Sequence, residues 1–402
     1  MIIEESFCYY RENYSIRKKF DNRNGVIYWI PFFLFSFILT FTGLFLLFKL
    51  ILNLKIKNLS KPHELSAFIF SYNQSIIHHQ LQNHGLKMPF VLFSNKSILK
   101  RNEAKLNLNN NLIYLAVCSE TPILIISLFR ALNNVVLFNN QIRLLKAIGL
   151  KPIFTILLKK LKIVVQYNDH SPYNVLLNAL AKRANVKSVY IQHAPVNENF
   201  PELYHDLNVL FSRHSIEKYR NGRNKEILPF FDLRFLEVEI VKEKPKNTIL
   251  ICSNLLDDLK QLRDISKKLS SSFKIILRPH PSDLRNFNFN LTQVEISKCK
   301  TIWEDLNRAE IVLTNESAVP LEAIFLGKLI YKCNMLSESI DNYGFIKNGL
   351  ILEEYNNIFD LLAAIKERKI TFDSSKLEYY IGSVNEVDTK IKVLQSMLIN
   401  LK

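Results

Sequence analysis

The feature that most constrains the fold is an alternation of short apolar segments, rich in β-branched and aromatic residues, with longer amphipathic segments. One such segment, SPYNVLLNALAKRA (171–184), has apolar residues close to helical spacing, and its opening Ser-Pro is typical of a helix start. Strand and helix alternation favours a parallel, doubly wound sheet. The segments with strand character are 89–94, 111–117, 134–138, 162–167, 187–193 and 208–212, and a further predicted helix is 122–132.

The same alternation restarts after a mixed, charged segment at 222–246. This segment contains Pro229 and Pro245, and we interpret it as a linker. The sequence therefore predicts an α/β chain with two Rossmann-like domains, at 54–221 and 247–402, that face each other across a cleft. In the second domain the predicted strands are 247–253, 273–281, 309–315 and 328–333, and the predicted helices are 257–269 and 318–327.

A long apolar segment precedes both predicted domains. From Val26 to Phe48 there are 23 consecutive uncharged residues, and about 20 apolar residues are enough to cross a bilayer as a helix. The segment predicts one transmembrane anchor at 26–53, preceded by a short N-terminal segment at 1–25. A buried core helix is the alternative, although the segment has no polar face. The basic residues on its two sides are nearly equal in number and do not fix its orientation.

The positive charge is concentrated in one part of the chain. The formal net charge is +16, and residues 49–162 hold sixteen Lys and Arg against three acidic residues. A basic surface beside an anchor suits an anionic membrane or an anionic acceptor, and a merely solvated surface is the alternative. Nucleic acid is not an expected partner, because no recognition motif occurs.

The motifs predict neither a metal site nor a bound cofactor. The five cysteines are scattered and never form a CxxC pair, which predicts reduced thiols and no metal site. Neither a GxGxxG fingerprint nor a Walker loop occurs, and glycine is scarce, so we expect no bound cofactor.

The first candidate for chemistry is the tetrapeptide Arg278-Pro279-His280-Pro281 at the end of a predicted strand. Ligands of open α/β sheets bind outside the carboxyl ends of the strands. Two prolines stiffen the turn, His280 can donate to a phosphate oxygen, and Arg278 supplies a delocalised charge nearby. A stiffened loop with a structural histidine is the alternative.

The second candidate is Thr314-Asn315-Glu316-Ser317-Ala318, between a predicted strand and a predicted helix. Ser317 lies near the expected helix start, where free N–H groups favour a phosphate. Glu322 follows within the first turns and can accept hydrogen bonds from ribose hydroxyls. A capping serine and a solvated glutamate are the structural alternatives.

Two candidates lie in the first predicted domain. His193 follows a strand in Gln192-His193-Ala194 and can stabilise a leaving phosphate or assist an acceptor. Asp169 lies between a strand and a helix, and we expect it at the mouth of the cleft as a general base. Helix capping by Asp169 is the alternative role.

Two stretches carry a resemblance to known enzymes. QHA…FPELYHD (192–206) and RPHP…TNESAVPLEAIFLGK (278–328) resemble bacterial surface-polysaccharide transferases of the GT-B fold. The chain is similar to capsule glycosyltransferases, including sialyltransferases with an H-P motif, and to CDP-glycerol glycerophosphotransferases of teichoic acid synthesis. The resemblance covers about residues 160–335 and implies a donor nucleotide in the second domain and an acceptor in the first.

The resemblance also implies roles for individual residues. His280 and Pro281 would contact the donor phosphate, as would Ser317, and Glu322 would hold the ribose. His193 matches a cleft histidine that glycine usually follows, whereas Ala194 follows it here. The acidic base motif of the sialyltransferases is absent, so Asp169 is a candidate from its position alone.

Together these observations predict a membrane-anchored, metal-independent glycosyltransferase with the GT-B fold. It would move a sugar from a nucleotide-activated donor to a lipid-linked or polymeric surface glycan. Because nucleotide donors are cytosolic, the catalytic part is expected on the cytoplasmic side of the inner membrane. A CDP-polyol phosphate transferase is the alternative within enzymes, and a non-catalytic glycan-binding scaffold is the alternative of another class.

Overall fold

The computed structural model describes two α/β domains. It describes residues 64–92 and 151–401, apart from short gaps at 170, 198–199, 201, 220–225, 237, 239–244, 282, 284 and 338–340. No helix in these residues is long and apolar enough to cross a bilayer. The predicted anchor at 26–53 and most of the basic stretch lie outside the described residues.

Within the described residues, the first domain contains a parallel sheet of six strands in the order β2-β1-β3-β4-β5-β6. The predicted strands at 162–167, 187–193 and 208–212 are confirmed, whereas those at 111–117 and 134–138 lie outside the described residues. The strands are β1 Leu65–Ile69, β2 Phe90–Leu92, β3 Ile163–Gln166, β4 Lys187–Ile191, β5 Leu207–Leu210 and β6 Glu226–Pro229. The helices are α1 Tyr72–Asn83, α2 Lys151–Leu158, α3 Pro172–Arg183 and α4 Arg213–Lys218.

Local sequence explains where α3 begins. The hydroxyl of Ser171 accepts a hydrogen bond from the backbone N–H of Asn174, and Pro172 occupies the first helical position. The serine hydroxyl satisfies one of the backbone N–H groups that lack a partner within the helix, and proline has no N–H at a position where none is needed. Leu176 and Leu180 then pack against the sheet, as their spacing predicts, and Leu177 joins them.

The second domain is also a parallel sheet of six strands, in the order β12-β11-β10-β7-β8-β9. All four predicted strands are present, and β9 and β12 are two short edge strands that the sequence pattern did not reveal. The strands are β7 Thr248–Cys252, β8 Lys274–Arg278, β9 Val294–Ile296, β10 Ile311–Thr314, β11 Leu329–Cys333 and β12 Glu354–Tyr355. The helices are α5 Leu259–Leu269, α6 Ile302–Asn307, α7 Val319–Phe325, α8 Ile358–Glu367, α9 Leu377–Ile381 and α10 Val387–Asn400.

The domain boundaries differ from the expected ones at two places. The predicted linker at 222–246 contains β6, which pairs with β5 as the last described strand of the first sheet. The final helix α10 returns to the first domain, where Ile391 and Leu394 are buried in the same core cluster as β1 and β3. The second domain therefore ends before α10, because the apolar face of this helix is covered by the other sheet.

The two domains touch near the carboxyl ends of their sheets. Tyr379 of α9 donates a hydrogen bond to Glu217 of α4 at 2.7 Å, and the ring of His214 lies 4.6 Å from that of Tyr380. The backbone N–H of Asp232, just after β6, bonds to the carbonyl of Ile381 at 2.7 Å. Since α4 follows β5 in the chain, the carboxyl edge of the first sheet borders the second domain.

Candidate functional site

The order of the second sheet indicates where a candidate site lies. Counted from β7, its strands follow the 3-2-1-4-5-6 order of Rossmann domains, with β7 and β10 adjacent at the centre. Chain connections leave these two strands in opposite directions, which opens a crevice at their carboxyl ends. The first residues beyond the strands are Ser253 after β7 and Asn315 after β10.

A buried polar cluster lies at this crevice. The amide nitrogen of Asn315 donates to the hydroxyl of Ser337 at 2.6 Å and to Oδ1 of Asp257 at 3.4 Å. Asp257 also accepts the backbone N–H of Asn254 at 2.8 Å. The cluster thus joins the loops that follow three neighbouring strands, β7, β10 and β11.

Two atoms of the crevice lack a partner. Oγ of Ser253 and Oδ1 of Asn315 are buried, and neither has a hydrogen-bond partner within the described structure. Buried polar atoms of folded proteins are nearly always hydrogen-bonded, so an unpaired pair indicates a place for water or a ligand. Oδ1 of Asn315 can only accept a hydrogen bond, whereas the hydroxyl of Ser253 can donate one.

An arginine holds the loop after β7 in place. Arg285 donates to the carbonyl oxygens of Asp257 at 2.6 Å and Asn254 at 3.0 Å, and it forms an ion pair with Asp283 at 2.6 Å. Because both carbonyls point to the guanidinium, the loop has a fixed shape before any ligand binds.

Two carboxyl groups at the crevice have raised pKa values. Burial raises the pKa of Asp257 to about 6, against the opposing effect of its hydrogen bonds from Asn254, Asn315 and Ser337. Burial also raises the pKa of Glu316 to about 7; Lys332 opposes this shift and the nearby carboxylate of Asp341 adds to it.

His280 and Pro281 are exposed at the carboxyl end of β8, the strand beside β7. The carbonyl of His280 accepts the N–H of Asp283 at 2.8 Å, which closes the turn after the two prolines. Both side chains therefore lie at the edge of the sheet that carries Ser253 and Asn315, as the sequence predicts.

The position of Arg278 differs from the expected one. Its guanidinium forms an ion pair with the fully buried carboxylate of Asp305 on α6, and it also donates to the carbonyl of Cys299 at 3.3 Å. A charge that compensates a buried carboxylate is not available to a phosphate. Arg278 therefore holds α6 against the sheet.

Glu322 is also engaged by another residue. Its Oε1 accepts a hydrogen bond at 3.0 Å from Arg234, which lies after β6 and pairs with Asp232 at 2.6 Å. Burial raises the pKa of Glu322, and Arg234 opposes the shift. Instead of lying open to a ribose, Glu322 joins α7 to the segment between the domains.

Ser317 lies beside the start of α7, close to the predicted position. Its hydroxyl accepts the backbone N–H of Val319, the first residue of α7, at 3.2 Å, although the N-cap position itself is occupied by Ala318. This observation agrees with the capping role that the sequence left open.

The first-domain candidates lie at the carboxyl edge of the first sheet. His193 follows β4 and is half-buried. Asp169 follows β3 and is only 1% exposed, with Oδ2 accepting the hydroxyl of Tyr219 at 2.6 Å. This burial differs from the expected place at an open cleft mouth, because the aromatic residues Tyr204 and Tyr219 bond to Asp169 and cover it.

Several residues of the site were missed by the sequence argument, namely Ser253, Asn254, Asp257, Arg285 and Ser337. A signal for Ser253 was present, since it follows the first strand of the second domain directly. The strand order that brings this loop beside Asn315 is not contained in any local pattern. Within the described residues, no group of three or more His, Cys, Asp or Glu is arranged to hold a metal ion.

Comparison with known proteins gives matches of structure only. No family model matches the chain, and no curated protein matches it in sequence. S. aureus MnaA with UDP has a TM-score of 0.56 at 10% identity, covering 85% of this chain and 98% of that chain. A variant of the wall teichoic acid polymerase TagF soaked with CDPG has a TM-score of 0.53 at 12% identity, covering 92% and 99%.

A third similar structure is the UDP-GlcNAc 2-epimerase of Methanocaldococcus jannaschii. Its TM-score is 0.53 at 13% identity, covering 84% of this chain and 100% of that chain. At such identities the similarity shows the fold alone. The chain has the two-domain α/β GT-B fold that the sequence predicts.

Proposed function

We propose that this protein is a glycosyltransferase that moves a sugar from a nucleotide-activated donor to a bacterial surface glycan. The observation that carries the proposal is the crevice between β7 and β10, where buried polar atoms of Ser253 and Asn315 lack partners. A donor carries phosphate oxygens that accept hydrogen bonds and sugar hydroxyls that donate them, which matches these two atoms. The fold and the exposed His280 beside the crevice support the same ligand class.

The proposed reaction uses groups from both domains. The acceptor hydroxyl attacks the anomeric carbon, its proton passes to His193, and the bond between that carbon and the donor phosphate breaks. The leaving phosphate receives hydrogen bonds from His280 and from the hydroxyl of Ser253, while Oδ1 of Asn315 accepts one from a donor hydroxyl. His193 takes the place of Asp169 as the proposed base, because the carboxylate of Asp169 is buried and accepts the hydroxyl of Tyr219.

We further propose that the segment 26–53 anchors the protein in the inner membrane, with both domains on the cytoplasmic side. The uncharged segment Val26–Phe48 and the basic stretch behind it support this placement. A lipid-linked or polymeric glycan is the proposed acceptor, and its lipid would keep it at the same surface.

A donor panel with one matched pair of variants tests the proposal. Purified protein is titrated with CMP-, CDP-, UDP- and GDP-linked sugars, and binding and nucleotide release are measured. We expect one donor to bind, and we expect Ser253→Ala to weaken it by about three- to tenfold, the value of one hydrogen bond. Ser266→Ala is the control, because its hydroxyl is equally buried and unpaired in the described structure but lies inside α5. Equal affinity of both variants, or no donor bound, contradicts the proposal.

Donor binding is expected to depend on pH through Glu316. With a pKa of about 7, this group is mostly ionised at pH 8 and repels an anionic donor, whereas at pH 6 it is mostly neutral. Affinity should therefore rise about three- to fourfold as the pH falls from 8 to 6, if the ionised carboxylate weakens binding by about 1 kcal/mol. A nucleotide sugar is the suitable probe, because its phosphates do not titrate in this range.

Glu316→Gln isolates this effect. The variant should bind the donor at pH 8 as tightly as the unmodified protein does at pH 6, and its affinity should change less with pH. The remaining slope below pH 7 belongs to Asp257, whose pKa is about 6. An unchanged pH profile in the variant assigns the dependence to another group.

Two other activities follow from the similar structures. UDP-GlcNAc 2-epimerases have the same fold, and inversion at C2 of UDP-GlcNAc without any acceptor, seen by NMR, would favour that activity. The similarity to TagF favours transfer of a polyol phosphate from a CDP-linked donor, as in the TagF structure soaked with CDPG. Release of CMP would indicate the second activity when the donor is CDP-glycerol.

A further inference from the structure

A groove adjoins the crevice on the side of β11. It has a volume of about 620 Å³ and lies between the start of α5 and the loops that follow β11 and β12. Ser337 belongs both to its wall and to the polar cluster, since its hydroxyl accepts the amide of Asn315 at 2.6 Å. Ser337 is therefore the residue at which the groove adjoins the polar cluster.

A second groove continues the first between α5 and α8. Its volume is about 840 Å³, and it shares Gln261, Met335 and Asn356 with the first groove. Each volume lies in the range of about 300–1,000 Å³ that is typical of a ligand pocket. Because the two grooves share three lining residues, they form one continuous surface from Ser337 to α8. A continuous groove of this kind can hold a chain-like ligand.

The wall of the first groove is polar and mostly neutral. Amide groups of Gln261, Asn334 and Asn356 line it, and Asp258 is its acidic residue. An amide can donate and accept hydrogen bonds at once, which is what a sugar hydroxyl requires. This composition suits a polyhydroxylated ligand better than a phosphate-rich one.

The second groove adds apolar and basic groups. Ile358 and Leu362 of α8 line it, and Lys267 and Lys268 stand on the α5 side. Phe359, next to Ile358, is 74% exposed, and the ammonium of Lys268 lies 4.9 Å from its ring centre. Sugar rings have an apolar C–H face as well as hydroxyls, so an exposed aromatic ring at the rim can pack against them.

We propose that these two joined grooves, termed the α5–α8 groove, bind the growing glycan chain as an extended acceptor site. The groove proposal rests on the proposed function, because it assigns a binding site to the glycan chain that the proposed reaction extends. A glycan bound here has its earlier units along α5 and α8 and passes Ser337, while its reacting hydroxyl lies at His193 of the first domain, as the proposed reaction requires. Longer acceptors therefore gain contacts that short ones do not make.

The test measures glycan binding and donor binding separately. Purified bacterial capsular oligosaccharides of graded length, from two to twelve units, are immobilised and probed with the full chain. We expect affinity to rise at least tenfold with length, and we expect the triple variant Gln261→Ala, Asn356→Ala, Phe359→Ser to lose most of this rise. Donor affinity, measured with the nucleotide sugars above, should stay unchanged.

A matched control makes the result specific. Asn400→Ala with Ile399→Ser removes an exposed amide and an apolar side chain that is 66% exposed on α10, which packs on the other domain. This control should keep the full length dependence. Affinity independent of length, no binding of any oligosaccharide, or equal loss in both variants overturns the groove assignment. Glycan binding without any nucleotide binding overturns the proposed function and leaves the groove in place.

Discussion

Replacing Gly382 by alanine is expected to destabilise the protein by at least about 4 kcal/mol, because two independent penalties coincide. The backbone has φ +78° and ψ 173°, a region that is essentially restricted to glycine. A Cβ at this position would lie 2.2 Å from the carbonyl oxygen of Phe211 and 2.8 Å from that of Phe230. Both atoms belong to the backbone of the first domain, so a rotamer change does not relieve the clash.

Denaturant unfolding measures this effect, and Gly327→Ala is its control. Gly327 also has a positive φ, +65°, but no heavy atom lies within 4 Å of a Cβ built there. The control should cost only about 1–2 kcal/mol, the price of the left-handed backbone alone. If both variants unfold at the same denaturant concentration, the close approach of the domains at Gly382 is not present in solution.

Removal of the Arg234 side chain is expected to destabilise the protein by about 3–5 kcal/mol, because Arg234→Ala leaves two buried carboxylates without a counter-charge. The side chain of Asp232 is fully buried and that of Glu322 is 6% exposed. The loss of unfolding free energy should be smaller at low pH. Burial raises the pKa of Glu322, and protonation removes the charge that Arg234 would otherwise compensate. Unfolding curves at pH 5 and pH 8 provide the measurement.

Arg213→Ala is the matched control for a surface ion pair. Arg213 pairs with Glu217 at 2.9 Å and its side chain is 78% exposed, so its loss should cost less than about 1 kcal/mol. The double variant Arg234→Met, Glu322→Leu should recover part of the stability lost in Arg234→Ala, since one buried charge is then absent. A cost for Arg234→Ala no larger than that of the control would mean that water reaches the carboxylates.

The joined domains also bear on the proposed reaction. Glu322 lies on α7, which follows the crevice, while Arg234 belongs to the segment between the domains. The ion pair therefore fixes α7 relative to the first domain, where His193 lies. A variant that loosens it should lower transfer activity more than donor affinity.

The sequence by itself determined the two-domain α/β architecture and the placement of His280 and Asn315 at the carboxyl edge of the second sheet. Strands such as β7 and β10 are continuous apolar runs. Such runs are typical of a parallel sheet that is covered by helices on both faces. The placement of His280 and Asn315 at strand ends followed from the same local pattern. These features depend on periodicity, which a few consecutive residues already contain.

Only the tertiary structure decided which side chains are available to a ligand. Arg278 is engaged by Asp305, 27 residues further along the chain, and Glu322 by Arg234, 88 residues before it. The tertiary structure also placed α10 on the first domain and Asp257 beside Asn315. The physical reason is that a charged or polar group is occupied by the partner that burial brings to it, and such partners are set by strand order and domain packing rather than by neighbouring residues.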